Sequence, residues 1–465
     1  MLSIGVISAG DGYQYLTKEV ASAVEDYYLR SGAQAGEARG WWLGAQRGLF
    51  GVTDRLVTEQ QMEGFFGAKC DPVTGERLGA PFRVYATVEE RLERARDEQE
   101  RWVAEDLATR SAALSASGAG PEREAESLAA HVEAARLRWE KTERKIVRAG
   151  ERNAVAGYDL TFSVPKSVSV LWASPPDQTA QDRVRAAHHE GIKAAIDLLE
   201  GDGSFVRKGR NGVRQEQVSG VMAAAFDHRT SRAGDPQLHT HVAVLGMVKD
   251  GEGEVRSLDS RTIFRMSGAL SAVYDFYRDK ALVRELNVRL EVREDTGVRE
   301  VAGVPDSLRR LWSTRRAQIT PKVEELKQAY RDAHGHEPPK ALVAKMAQWA
   351  TPDTRPDKRD PESTEELFNR WRATAKASAD TDLAEVWDRA TGRRWQTPPS
   401  GQTDAEIVDA VIERLHTGGP RGRSPTWPSW STSPWTATPD APTQPTGPAP
   451  SGASSGCCAT RTCSV

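Results

Sequence analysis

Phe226-Asp227-His228-Arg229-Thr230-Ser231-Arg232-Ala233-Gly234-Asp235-Pro236-Gln237-Leu238-His239-Thr240-His241-Val242 places three of the chain's nine histidines within fourteen residues. His239 and His241 stand two apart and run into the strand-forming Val242-Ala243-Val244-Leu245, so on a strand both imidazoles share a face. Gly234-Asp235-Pro236 reads as a turn. Strands are predicted at Val218–Phe226 and Leu238–Val248, and their antiparallel return brings His228 beside the pair. A lone histidine at a strand end usually makes only a hydrogen bond. Three converging from one hairpin, with room for solvent or substrate, make an open divalent-metal site.

Working outward, Tyr158-Asp159-Leu160-Thr161-Phe162-Ser163-Val164 alternates polar and apolar, which puts Asp159, Thr161 and Ser163 on one face of a strand. Asp159 there can accept the second ring N–H of a ligating histidine and fix its tautomer; the alternative is an ordinary salt bridge with a nearby Lys or Arg. Pro165-Lys166-Ser167 closes the strand, and a helix is predicted from Gln178 to Leu199. Residues 260–287 and 305–347 read as mostly helical. His188 and His189 are adjacent on a helix and point apart, while His334 and His336 flank Gly335; all four are expected at the surface.

The chain's 465 residues allow two or three domains. Lys plus Arg number 63 against 66 for Asp plus Glu, a net charge of -3 that announces no global electrostatic partner. No stretch approaches the ~18–20 apolar residues of a membrane span, and Met1-Leu2-Ser3-Ile4-Gly5-Val6 is not a signal peptide. Cys70, Cys457, Cys458 and Cys463 fit no metal or disulfide spacing, so the expected location is cytoplasmic. From about Val88 to Arg148 charged helix formers carry sparse apolar residues, broken at Gly118-Ala119-Gly120-Pro121, as in a solvated helical hairpin inserted into a domain. From Pro420 to Pro450 lie nine of the 25 prolines, so residues 417–465 are expected to be a disordered tail. Its tryptophans, Trp427, Trp430 and Trp435, fit a reading-frame change better than a partner motif.

Tyr13, Tyr15, Tyr27 and Tyr28 supply four of the nine tyrosines within 28 residues. Aromatics near a terminus are usually core or docking surface. A phenol of pKa ~10 is a poor nucleophile at neutral pH, and becomes useful where a metal polarises the phosphate it attacks.

Tyr-x-Tyr and Asp-Tyr-Tyr, then Gly157 to Ser167, then His228 with Asp235-Pro236-Gln237-Leu238-His239-Thr240-His241, occur in that order. Together they resemble the N-terminal domain of MobF-type (TrwC/TraI-like) conjugative relaxases, within the HUH endonucleases, over roughly residues 1–300. The resemblance implies an α+β fold with a central antiparallel sheet flanked by helices. It implies nicking of single-stranded plasmid DNA at an origin of transfer, through a tyrosine bonded to the 5′ phosphate. His228, His239 and His241 would hold a divalent metal, Mg²⁺ or Mn²⁺ foremost and Zn²⁺ as an alternative, with Asp159 orienting a ligand. Tyr15, with Tyr13 close behind, would attack first, and Tyr27 and Tyr28 would serve a second transfer. Accessory relaxosome proteins and a type IV secretion coupling protein are implied as partners.

The chain departs from the pattern in three places. Gln14 separates a tyrosine pair that is usually contiguous, and the 88–148 insertion is longer and more charged than expected. Gly-x-x-x-x-Gly-Lys-Ser/Thr is absent, so residues 301–416 read as a mostly helical linker toward a missing helicase, with no ATPase activity expected. Arg207-Lys208-Gly209-Arg210-Asn211-Gly212-Val213-Arg214 is either a phosphate-contacting loop or an ordinary basic one. Cupins and facial-triad oxygenases explain a His-rich strand but not the tyrosines, and Val242 to Met247 lacks the acid a cupin needs. A non-catalytic DNA-binding remnant is the other rival.

Overall fold

The structure is a computed structural model and describes residues 1–17, 40–118, 120–293, 297–353, 363–391 and 409. Its centre is a five-stranded sheet of β1 (Leu2–Ser8), β2 (Trp41–Leu43), β3 (Val155–Ser163), β6 (Ala223–Thr230) and β7 (Pro236–Leu245), in the order β1-β3-β7-β6-β2 and antiparallel throughout. β4 (Phe205–Lys208) and β5 (Arg214–Gln217) form a separate hairpin.

Alternation in the strands gives the sheet two different faces. Leu160, Phe162, Ala223, Ala225, Val242 and Val244 point one way into a buried cluster with Ile192, Ile196, Leu270 and Tyr274. Those four come from the helices that cover this face, Gln178–Leu198 and Ser267–Leu286. Each fully buried side chain of this kind contributes about 1.5–3 kcal/mol. On the other face, Ala224, Phe226, Ala243 and Leu245 pack under Ile7, Tyr13, Leu16, Trp42, Phe65 and Phe66. Gly157 of β3 has no room for a side chain: a Cβ there would lie 2.4 Å from Val244 O and 2.7 Å from the Phe66 ring. That apolar cover leaves His239 and His241 part-exposed.

Local chemistry moved some expected boundaries. The expected strand at Val218–Phe226 begins only at Ala223, because Gly220 adopts a φ of 80° and turns the chain first. Gly246 likewise separates β7 from a short strand at Met247–Lys249. The helical region 305–347 is three helices, Asp306–Leu311, Thr314–His334 and Lys340–Asp353.

The stretch expected as a helical hairpin is an antiparallel pair of helices, α1 (Val88–Ala116) and α2 (Pro121–Ala149). Thr87 and Glu90 form a capping box at its start, and Pro121 sits in the first turn of α2, where its missing N–H costs nothing. The pair is joined by more than apolar contact. Gln99 Nε2 donates to Ala135 O at 2.6 Å, the Arg138 guanidinium lies 4.4 Å over Trp102, and His131 Nε2 approaches Asp106 at 3.0 Å.

A third cluster gathers Val168, Leu171 and Trp172 with Val301, Leu308, Trp312, Leu367, Phe368, Trp371, Val386 and Trp387. Residues 363–391, in the helices Thr364–Ala379 and Leu383–Thr391, therefore share a core with the segment that follows β3. Among the described residues, 315–353 form a compact unit of their own, in which Arg315 Nη2 donates to Thr351 O at 3.0 Å. No helix among the described residues is long and apolar enough to cross a membrane. The proline-rich tail and its tryptophans lie outside the described residues.

Candidate functional site

The β6–β7 register pairs His228 directly with His239, and Phe226 with His241. One ligand nitrogen from each of His228, His239 and His241 lies within 4.8 Å of the others. The ring centroids are 4.7–5.2 Å apart. Convergence follows from the period of two along β7 and the antiparallel return of β6, as the spacing predicts.

Two of the rings are oriented through their Nδ1 atoms. His239 Nδ1 meets Gln237 O at 2.9 Å, and His241 Nδ1 meets Asp159 Oδ2 at 2.8 Å. Donation from Nδ1 leaves the Nε2 lone pair of each ring as the ligand atom. Three neutral imidazole nitrogens so placed fit a divalent cation with open positions for phosphate oxygen or water.

Asp159 sits on β3 opposite Ala243, its carboxylate on the histidine face. The same Oδ2 that takes the His241 hydrogen bond also accepts one from Tyr15 Oη at 2.6 Å. Thr161, one side-chain step along that face, donates to Asp159 Oδ1 at 3.3 Å. Tyr15 lies in a helical turn after the Asp11–Tyr13 segment, its ring edge-on to His241 at 5.8 Å and 42% exposed. Burial of its hydroxyl, and then the Asp159 charge and hydrogen bond, hold the phenol well above the usual tyrosine range.

Tyr13 goes elsewhere. It is 4% exposed in the apolar cluster that also holds Leu16 and Phe66. Burial, then Glu59 and Glu63, push its phenol up to about 12. The intervening Gln14 thus sends the two tyrosines to different surroundings. Tyr27 and Tyr28 lie outside the described residues.

His188 corrects a sequence expectation, since it is fully buried rather than at the surface. Its Nδ1 meets Tyr274 Oη at 2.7 Å and its Nε2 meets Thr240 Oγ1 at 2.8 Å. His189, part-buried, contacts Asp227 Oδ2 at 2.8 Å. This network lies on the sheet face opposite the histidine trio, because Asp227 and Thr240 alternate with the ligand positions along their strands. Lys166 is another residue the sequence reading passed over. Its Nζ donates to Pro236 O at 2.9 Å and Gln237 Oε1 at 2.8 Å, and burial brings it down to about 8. The charge-bearing stretch 207–214 is the β4–β5 hairpin. Acids answer three of its four basic side chains: Arg207 pairs with Asp259, Lys208 with Glu216 and Asp250, and Arg214 with Glu216.

Residues 9–378 match the family described as TrwC relaxase. Two proteins called "Multifunctional conjugation protein TraI", from Escherichia coli K12 and from Escherichia coli, are 31% and 30% identical over 275 and 274 residues. Each match covers 56% of this chain and 14% of the relative, so the chain spans a small part of those proteins' length. Among solved structures, "Conjugative Relaxase TrwC in complex with mutant OriT Dna" superposes with a TM-score of 0.51 at 22% identity, covering 81% of this chain and 98% of that one. A metal-bound complex of TrwC with oriT DNA gives 0.52 at 21%, covering 82% and 100%. These likenesses are of fold: the antiparallel sheet with flanking helices is the one expected. With the match running through most of its length and the three histidines converging on the sheet, the chain belongs to the TrwC relaxase family.

Proposed function

We propose that this chain is a conjugative relaxase that nicks single-stranded plasmid DNA at an origin of transfer, with Tyr15 as nucleophile and His228, His239 and His241 as metal ligands. The observation that carries the reading is the shared Asp159 Oδ2, which holds the Tyr15 hydroxyl and the His241 imidazole at once. A bound divalent metal, Mg²⁺ or Mn²⁺ foremost and Zn²⁺ as the alternative, would supply Lewis-acid polarisation of the scissile phosphate. The chain's own residues do the rest. Asp159 keeps His241 in the tautomer that presents Nε2, and Gln237 does the same for His239. Because the Tyr15 phenol is held protonated, its attack needs a proton acceptor, and Asp159 Oδ2 is already in place for that proton. The Tyr15 oxygen–phosphorus bond forms as the bond to the 3′ oxygen breaks. The 3′ oxygen takes a proton from solvent and departs as a free hydroxyl. The phosphotyrosyl ester conserves the phosphodiester's energy, so the reverse transfer reseals a strand.

Tyr27 and Tyr28 are proposed for the second transfer on the family pattern, and residues 1–300 as the catalytic region, extended by the helices that share its core. Relaxosome proteins and a secretion coupling protein are the proposed partners, in the cytoplasm. The test is a denaturing gel after incubation with Mn²⁺ or Mg²⁺ and labelled single-stranded origin oligonucleotides. A covalent protein–DNA adduct is expected from the wild-type chain and from Tyr13→Phe, with its initial rate lost in Tyr15→Phe. An adduct forming at the wild-type rate in Tyr15→Phe overturns the assignment.

A further inference from the structure

The turn between β6 and β7 joins the strands that carry His228 and His239. A bulge shifts the register between His228 and Thr230, after which Thr230 pairs with Pro236. Beyond it the chain turns through Ser231 to Asp235, with Gly234 at a φ of 80°. A metal site needs its ligands held to within a fraction of an ångström, so whatever fixes this turn bears on the site.

The structure anchors this turn from distant parts of the chain. Gly234 O accepts from Trp371 Nε1 at 3.0 Å and from Arg370 Nη2 at 3.1 Å. The Asp235 carboxylate accepts from Thr314 N at 3.1 Å and Thr314 Oγ1 at 3.0 Å. Lys166 Nζ holds Pro236 O and the Gln237 side chain, and Gln237 O in turn fixes the His239 ring. These anchors fall on four consecutive residues, 234 to 237, which only Leu238 separates from His239. Trp371 is fully buried and belongs to the apolar cluster built around the helix after β3, so its N–H is delivered from a rigid base.

We propose that Trp371, Thr314 and Lys166 are positioning residues for the metal centre, so that docking of the 364–379 helix and metal binding are linked. The inference rests on the trio being a metal site. Linkage is reciprocal: if docking tightens the site, an occupied site must also tighten docking.

The test uses the full chain and Mn²⁺ alone. Wild type, Trp371→Phe, the double variant Trp371→Phe/Thr314→Val and the control Trp387→Phe are titrated with Mn²⁺ by electron paramagnetic resonance, and their metal-free melting is recorded. Phe keeps most of the Trp371 bulk and deletes the donor; Trp387 packs in the same cluster and is a control for packing loss. Removing an outer-shell partner weakens metal affinity 10–100-fold, and these groups lie one step further out. Trp371→Phe is therefore expected to raise the Mn²⁺ Kd about 3- to 10-fold, and the double variant more. Trp387→Phe is expected to leave it unchanged. Hydrogen exchange in residues 364–379 is expected to slow when Mn²⁺ is added to wild type. An unchanged Kd in the double variant, a Kd that follows melting temperature equally in Trp387→Phe, or exchange indifferent to Mn²⁺ overturns the proposal. A wild-type chain that binds no Mn²⁺ at all would instead remove the metal-site reading beneath it.

Discussion

Replacing Asp159 with Asn tests the shared oxygen directly. Asp159 is 7% exposed, and its carboxylate accepts from His241 and Tyr15 on Oδ2 and from Thr161 on Oδ1. An amide of the same shape can keep its carbonyl oxygen toward His241 and Tyr15 and turn its NH₂ toward Thr161 Oγ1, which can accept. Packing is thus conserved and the loss is chiefly the negative charge. Charge-assisted hydrogen bonds are roughly twice as strong as neutral ones, and losing such a partner behind a ligating histidine costs about 10- to 100-fold in metal affinity. That corresponds to about 1.4–2.7 kcal/mol. A second effect opposes the first: without the charge the Tyr15 phenol moves back toward its ordinary range, which eases deprotonation while removing the acceptor. At limiting Mn²⁺ the affinity loss dominates, and single-turnover nicking should fall by the full factor. At saturating Mn²⁺ the deficit should shrink to the proton-transfer part. Mn²⁺ titration and oligonucleotide cleavage at both concentrations provide the readouts. An Asp159→Asn chain with wild-type Mn²⁺ affinity and wild-type rate at limiting metal would refute the reasoning.

His239→Ala should abolish Mn²⁺ binding by calorimetry and metal-dependent nicking together, because two nitrogens from opposed strands cannot close the site. Lys166 carries a pH signature. Its folded pKa of about 8 lies below the unfolded value, so the unfolded chain binds more protons between about pH 8 and 10.5 and stability rises over that window. The rise is about 3 kcal/mol at most, and denaturant titrations at several pH values should show it in wild type and not in Lys166→Met. Gly157→Ala should destabilise by about 1–3 kcal/mol, since the added methyl meets Val244 O and the Phe66 ring; thermal melting checks this.

The centre was legible in the sequence because it is built on a period. His239 and His241 on one strand, Asp159 and Thr161 on the next, obey the two-residue alternation that backbone geometry imposes, and a Gly-Asp-Pro turn announces the return that adds His228. Separating Tyr13 from Tyr15 was beyond pattern reading, since it depends on which side of one helical turn meets Glu59 and which meets Asp159. His188 was misread for a related reason. Adjacent residues on a helix point apart, but a buried direction is also available to a histidine when Tyr274 and Thr240 satisfy both ring nitrogens. Trp371 and Thr314 gave no local signal, because their partners lie 137 and 79 residues away.

The two ends of the long helical pair lie side by side. Val88 N donates to Glu151 Oε1 at 2.8 Å, and Arg91 Nη2 to Gly150 O at 2.6 Å. A segment that leaves and re-enters the body at nearly one point works like a plug-in module: excising it and joining the stubs with a few residues asks little of the sheet behind. Its length can therefore change without disturbing the strand that begins at Val155.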